Sequence, residues 1–338
     1  MAKSTWGGRI SRPFSIIQRG HGRWRFLIGG GTMLIKYRQE NGSWVETKAD
    51  EACWVRAINP NEDELAWLSS RYGITLPHLK AALDDYELPR YESEEGYGIF
   101  YLSTGRQAED AHWKVTTVGI AVTPEATVTI SGHENELIED FASSPVKVAE
   151  GSCGPQLMLQ LLLRATQLFL RDLRLIERKD TELEKKLGLA MKNSLIFEFL
   201  ANEKSLVYMR TAVNGNLMAL EKLRTSPMVA GDAGLIRLTD DIIVESRQAS
   251  DMASIYSDIM GSSMDAFASI INNNLNVVMK FLTSLTLVLA VPTIVAAFFS
   301  MNVPMKWASG DGMFFLVAGL ASGLTLVAVI VMRKLRLF

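Results

Sequence analysis

The feature that most constrains this chain is the stretch from Phe281 to Phe299, nineteen consecutive residues without a charge. At about 1.5 Å per residue, a helix of that length nearly matches a hydrocarbon core of roughly 30 Å. The stretch therefore predicts a transmembrane helix. Its surface is uneven, because Asn276, Met279, Thr283, Thr286, Ala290, Thr293, Ala297 and Ser300 follow one another at steps of three and four. Phe281, Leu285, Val288, Leu289, Val295 and Phe298 point largely elsewhere. Such a line suits either close helix packing, with threonines bonded back to their own backbone, or a watery lumen. Both readings stand at this point.

A second apolar run, Met313 to Met332, follows after a gap too short for a domain, so the two runs predict a membrane hairpin. Arg333, Lys334 and Arg336 lie beyond it, while the intervening loop holds only Lys306 and Asp311. The positive-inside rule then places both termini in the cytoplasm, and the expected location is the inner (cell) membrane. Lys plus Arg is 35 and Asp plus Glu is 37, a balance that gives no reason to expect a nucleic-acid partner. The basic N-terminal segment, with Arg9, Arg12, Arg19, Arg23 and Arg25, has no adjacent apolar run and shows no cleavable signal. Cys53 and Cys153 are too few for a disulfide framework and fit a reducing cytosol.

Ahead of the hairpin the chain divides in character. Thr32 to Tyr37 and Cys53 to Ile58 are strand-like, with an Asn41-Gly42 turn signal between them. Gly29-Gly30-Gly31 reads as a turn, since no Gly-Lys-Ser/Thr follows. Asn59-Pro60-Asn61-Glu62 predicts a helix start with Asn59 as cap, running to about Tyr72, where Gly73 ends it. A short helix over Leu76 to Leu83 precedes an acidic turn. Tyr97 to Leu102, Val115 to Val122 and Ala126 to Ile130 predict strands, and His133 to Phe141 a helix. From Pro155 the pattern is helical, with a leucine seam from Leu157 to Leu187, a second helix from about Ser194 to Arg224, and a third beginning near Leu235. The third has no proline until Pro292 and, continued to Asn302, spans roughly 100 Å, able to carry a signal to the membrane without a joint. Gly261 and Pro292 are its expected bending points.

The expected division is a basic segment over 1–25, an α/β domain over 26–150 and a helical bundle with a stalk helix over 151–275. The first transmembrane helix covers 276–302, an external loop 303–312, the second transmembrane helix 313–332, and a basic tail 333–338.

At the end of the first membrane run stands Ser300-Met301-Asn302, followed by Pro304. Ahead of it lie Asn272, Asn273, Asn274 and Asn276, then Met279-Lys280-Phe281-Leu282-Thr283. Together these motifs resemble the CorA superfamily of divalent-cation channels, the two-transmembrane GxN proteins. That family closes its first transmembrane helix with Gly-Met-Asn, after an Asn-rich helix and a Met-Lys-x-Leu-Thr run. Leu83 to Arg90 also resembles the family's turn before a strand, with Leu88 in place of its first arginine. The resemblance implies a funnel-shaped homopentamer in the lipid bilayer: a cytoplasmic α/β domain, a bundle of long helices and two transmembrane helices per chain. Two helices cannot enclose a lumen, so conduction needs several copies with the polar seam on a common axis.

On this resemblance Asn302, with Met301 and Ser300, forms the outer mouth, and Thr293, Ala290, Thr286 and Asn276 line the pore. Met279 and Leu282 are the apolar constriction that closes by excluding water. Neutral oxygen acceptors suit Mg²⁺, which gives up its water reluctantly. Asp240 and Asp241 stand where the family has a carboxylate for a regulatory metal site between protomers. Ala81 occupies the position of the partner carboxylate, with Asp84 and Asp85 one turn on as substitutes. Divalent cations are the only ligands implied, transported and regulatory, with no further cofactor.

Three departures matter: Ser300 for the signature glycine, Ala81, and Lys306 with Trp307 in the loop where the family's magnesium channels usually present an acidic residue. They keep open a ZntB-like Zn²⁺ transporter and a non-conducting scaffold with the same fold. The absence of Cys and His from the first membrane helix favours Mg²⁺, or broad Mg²⁺/Co²⁺/Ni²⁺ permeability, over zinc. No enzymatic role is expected: His21, His78, His112 and His133 show no ligand spacing, and no nucleophile motif is present.

Overall fold

A computed structural model describes residues 19–20, 23–24, 33–40, 43–47, 52–107, 113–143, 153–189, 193–301 and 312–334. The chain separates into two units, Met1–Met260 and Gly261–Phe338.

The first unit is built on a seven-stranded sheet. Its strands are β3 (Met33–Glu40), β4 (Ser43–Glu46), β5 (Trp54–Ile58), β6 (Arg90–Glu94), β7 (Tyr97–Gln107), β8 (Trp113–Val122) and β9 (Thr127–Ser131), in the order β4-β3-β5-β9-β8-β7-β6. A two-residue pair, β1 (Arg19–Gly20) and β2 (Arg23–Trp24), stands apart from it. All neighbours are antiparallel except β5 and β9, whose connection carries helices and the β6–β8 meander. Strand side chains alternate between faces. Trp54, Phe100, Leu102, Val118 and Ile120 pack on one face beneath α3 (Glu136–Ser143), α4 (Pro155–Leu189) and α5 (Asn193–Arg224). Val55, Ala57, Ile99, Tyr101, Val128 and Ile130 pack on the other beneath α1 (Glu62–Tyr72) and α2 (Leu76–Ala81).

The α1 start lies two residues later than Asn59 predicts. Asn61 is the cap, its side chain accepting from the Glu64 amide while Glu64 reaches back to the Asn61 amide, and Gly73 closes the helix at φ 71°. Asn59 instead donates its amide to Ser131 on β9 and turns the chain at φ 44°. The backbone is still tied to the sheet there, and Asn tolerates that conformation better than most residues. Asn135 likewise delays α3 to Glu136 by accepting the Leu137 amide.

The two cysteines, too few for a disulfide framework and read as fitting a reducing cytosol, are joined, with Cα atoms 5.5 Å apart and the residues 100 positions apart in the sequence. Thr127 at the start of β9 explains the meeting, since its amide donates to the Cys53 carbonyl and its hydroxyl to the Gly154 carbonyl. It thereby draws the entries to β5 and α4 together. A sequence separation of that length conceals such a relationship. In a reducing compartment the same geometry holds two thiols side by side.

α2 sits directly on the sheet. A Cβ at Gly119 of β8 would lie 2.5 Å from the Ala82 Cβ, so only glycine admits this approach. The break after α5 contains one further turn, α6 (Pro227–Ala230), and Asp232 then accepts the Gly234 and Leu235 amides to open α7 (Ala233–Phe299). α7 is continuous through Pro292. In the second unit it is followed by α8 (Met313–Lys334).

Candidate functional site

α7 and α8 are each long and apolar enough to cross a membrane. Within the second unit, Pro292 of α7 lines a shallow, open pocket with Ala321, Ser322 and Thr325 of α8. This marks the side of α7 turned toward its neighbour. At about 100° per residue, Ser284, Val288, Val291, Val295 and Phe299 share that side. They are its buried or half-buried positions, Ser284 being 1% exposed.

The polar seam occupies close to the opposite side. Asn276, Met279, Thr283, Thr286, Thr293, Ala297 and Ser300 are exposed, and Ala290 is half-buried. Thr286 and Thr293 donate their hydroxyls to the carbonyls of Leu282 and Leu289, each at 2.8 Å, and Ser300 donates to Ala297 at 2.9 Å. Back-bonding uses the hydroxyl proton and leaves oxygen lone pairs directed away from the helix. The two readings of these threonines are therefore chemically compatible, because an acceptor is what the water shell of a cation requires. Met279 and Leu282 are exposed, as is Met301. Asn302, Lys306 and Trp307 lie outside the described residues.

In the first unit Asp240 and Asp241 have different surroundings. Arg224 forks onto Asp240 through two nitrogens, the second at 3.2 Å, and this hydrogen bonding holds the Asp240 carboxyl below its usual range. Asp241 is exposed. Asp84 accepts the Tyr86 amide at 2.9 Å, and Asp85 lies 3.2 Å from His133 Nε2. Within one chain, no group of three or more candidate ligands among the described residues includes any of these four aspartates.

One such group does form elsewhere. His78 on α2 and Glu92 and Glu94 on β6 place their ligand atoms within 4.8 Å of one another. Sequence spacing gave no sign of His78 in this role. The only local signal is Glu92-x-Glu94, which a strand presents on one face.

An α/β unit followed by a helix continuing into a two-span apolar hairpin defines a membrane protein with a large extramembranous part. The chain matches the CorA-like Mg²⁺ transporter protein family over residues 49–334 and belongs to that family. It is 27% identical over 312 residues to the cobalt/magnesium transport protein CorA of Methanocaldococcus jannaschii, covering 87% of this chain and 96% of that one. The solved structure of the CorA magnesium transporter from that organism superimposes with a TM-score of 0.76 at 24% identity, covering 89% of this chain and 97% of that one. Two more distant folds are similar. Full-length CmaX gives a TM-score of 0.69 at 12% identity, over 92% of this chain and all of that one. The ZntB cytoplasmic domain from Vibrio parahaemolyticus gives 0.55 at 13%, over 72% of this chain and all of that one. Family membership supports divalent-cation transport as the activity.

Proposed function

We propose that the chain forms a homopentameric inner-membrane channel for hydrated divalent cations, Mg²⁺ or a broader Mg²⁺/Co²⁺/Ni²⁺ set, with both termini cytoplasmic. The observation that carries this reading is the opposition of two faces of α7, one turned toward α8 and the other bearing Asn276, Thr283, Thr286, Thr293 and Ser300. Five such helices with the second face inward would enclose an axis lined by oxygen acceptors, with α8 outside. Asn302 carboxamides would meet ions at the outer mouth, and Met279 and Leu282 would close the inner part by dewetting. Asp241, facing Asp84 or Asp85 of a neighbouring copy, would sense cytosolic cations.

Lys306 and Ser300 depart from the pattern of the family's magnesium channels and so keep a ZntB-like Zn²⁺ transporter as the second reading, although a lysine ring at the mouth would repel any divalent cation. A non-conducting scaffold is the third. The deciding experiment is flux in proteoliposomes with Mg²⁺, Co²⁺, Ni²⁺ and Zn²⁺ in competition, with and without a proton gradient. Saturable Mg²⁺ flux lost in Asn302→Ala is the expected result. Proton-coupled Zn²⁺ flux alone would select the second reading, and absence of any divalent flux the third.

A further inference from the structure

We propose that His78, Glu92 and Glu94 form a binding site for a first-row transition divalent cation such as Co²⁺ or Zn²⁺, contained within one chain and separate from the conduction path.

The site is assembled by an edge hairpin and the helix laid over it. β6 and β7 are joined by the two-residue turn Glu95-Gly96, with Gly96 at φ 93°, which sets Glu94 opposite Tyr97, Glu92 opposite Ile99 and Arg90 opposite Tyr101. Arg90, Glu92 and Glu94 alternate along β6 and so share one face. α2 crosses that face, held by the Tyr101 hydroxyl donating to the His78 carbonyl at 3.3 Å and by the close seat of Ala82 on Gly119.

The His78 ring is fixed at both nitrogens. Nε2 lies 2.9 Å from Glu92 Oε2, and Nδ1 lies 2.7 Å from the Tyr97 hydroxyl. That hydroxyl also accepts from the Thr75 amide at 3.3 Å and lies 3.2 Å from the Thr75 hydroxyl. Without a metal, Nε2–H donates to Glu92. A cation between the ring and the carboxylates would take the Nε2 lone pair, and the proton moved to Nδ1 would then donate to Tyr97, which in turn can donate to the Thr75 hydroxyl. An outer hydrogen bond that orients the ring and sets its tautomer is what metal-binding histidines characteristically have.

Charge and donor type then select the ion. Two carboxylates match a dication. Arg90 bridges Glu92 and Glu87, the latter at 2.5 Å, so Glu87 retains the guanidinium when Glu92 turns to a metal. One imidazole nitrogen with two carboxylate oxygens suits Zn²⁺, Co²⁺ or Ni²⁺, whereas Mg²⁺ prefers an octahedral oxygen shell. The site thus discriminates by ligand chemistry, as an oxygen-lined pore does not.

The test is a Co²⁺ titration of the full-length protein in detergent with excess Mg²⁺ present, so that sites built only of oxygen are saturated. Bound Co²⁺ is read by equilibrium dialysis and by its visible absorption, and folding is checked by circular dichroism. Wild type should bind one Co²⁺ per chain with an absorption band characteristic of nitrogen ligation. His78→Ala should lose the band and the equivalent of bound ion. Glu94→Gln, at an exposed position, should weaken binding at least about tenfold, the lower end of the loss seen when even a group that merely orients a metal ligand is removed. Unchanged Co²⁺ binding in Glu94→Gln, or failure of the wild type to retain Co²⁺ against the excess Mg²⁺, would overturn the site. Neither readout depends on transport.

Discussion

Asn216 on α5 completes the backbone of Ser103 on β7, accepting the Ser103 amide at 3.0 Å and donating to its carbonyl at 2.8 Å. β6 stops at the pair Arg90–Tyr101, so this edge of β7 has no strand beside it at Ser103. A buried carboxamide reproduces the missing ladder pair. Replacing it with an apolar residue strands a buried donor and a buried acceptor, each costing about 1–3 kcal/mol. Asn216→Leu is expected to destabilise the protein by about 2–5 kcal/mol, read as a lowered midpoint in denaturant, while Asn216→Asp, which lacks the donor, retains only part of the stability.

Gly119 sets the seat of α2. The atom in the way of a larger residue is the Ala82 Cβ, which cannot rotate aside without the helix. Gly119→Ala should cost about 1–3 kcal/mol by overpacking. Ala82→Gly in the same chain should recover part of it, so the double mutant should melt above Gly119→Ala alone.

Asp180 on α4 has its carboxyl pushed up to about 7, chiefly by burial, against the opposing hydrogen bond from Asn202 at 2.7 Å; Glu184 and Glu177 raise it further and Lys179 lowers it. The folded state therefore holds a proton that the unfolded chain releases near pH 4. Its contribution is complete below that value and is lost as pH rises toward 7. Stability should decline across this window, and Asp180→Asn should flatten the decline, measured as melting temperature against pH.

Asp240 and Asp241 should behave differently despite being adjacent. Arg224 already compensates Asp240. If cytosolic divalent cations inhibit flux through α7 carboxylates, Asp241→Ala should raise the inhibitory Mg²⁺ concentration on the order of tenfold, within the usual range of coupling energies. Asp240→Ala should shift it little. Flux at graded internal Mg²⁺ measures both, and equal shifts would reject the distinction.

Much of this fold is legible along the chain. α4, α5 and α8 start within a residue or so of where periodicity, Pro155 and the apolar run place them. The seam of α7 can be counted directly, because a helix repeats its faces at a fixed interval. Three features could not be read in this way. The shifted cap at Asn61 depends on β9 holding Asn59, the Cys53–Cys153 link depends on Thr127, and the His78 cluster depends on α2 crossing a hairpin fourteen residues later in the chain.

The division follows from the range of the forces involved. Hydrophobic periodicity, charge-free length and cap chemistry act over a few residues, so sequence alone determined the two membrane runs, the long helices and the family resemblance. Pairing of distant strands and the resting of α2 on Gly119 are set by how whole surfaces fit. Only the tertiary structure could decide that the acceptors of α7 lie opposite its α8-facing side, and that one histidine meets two glutamates.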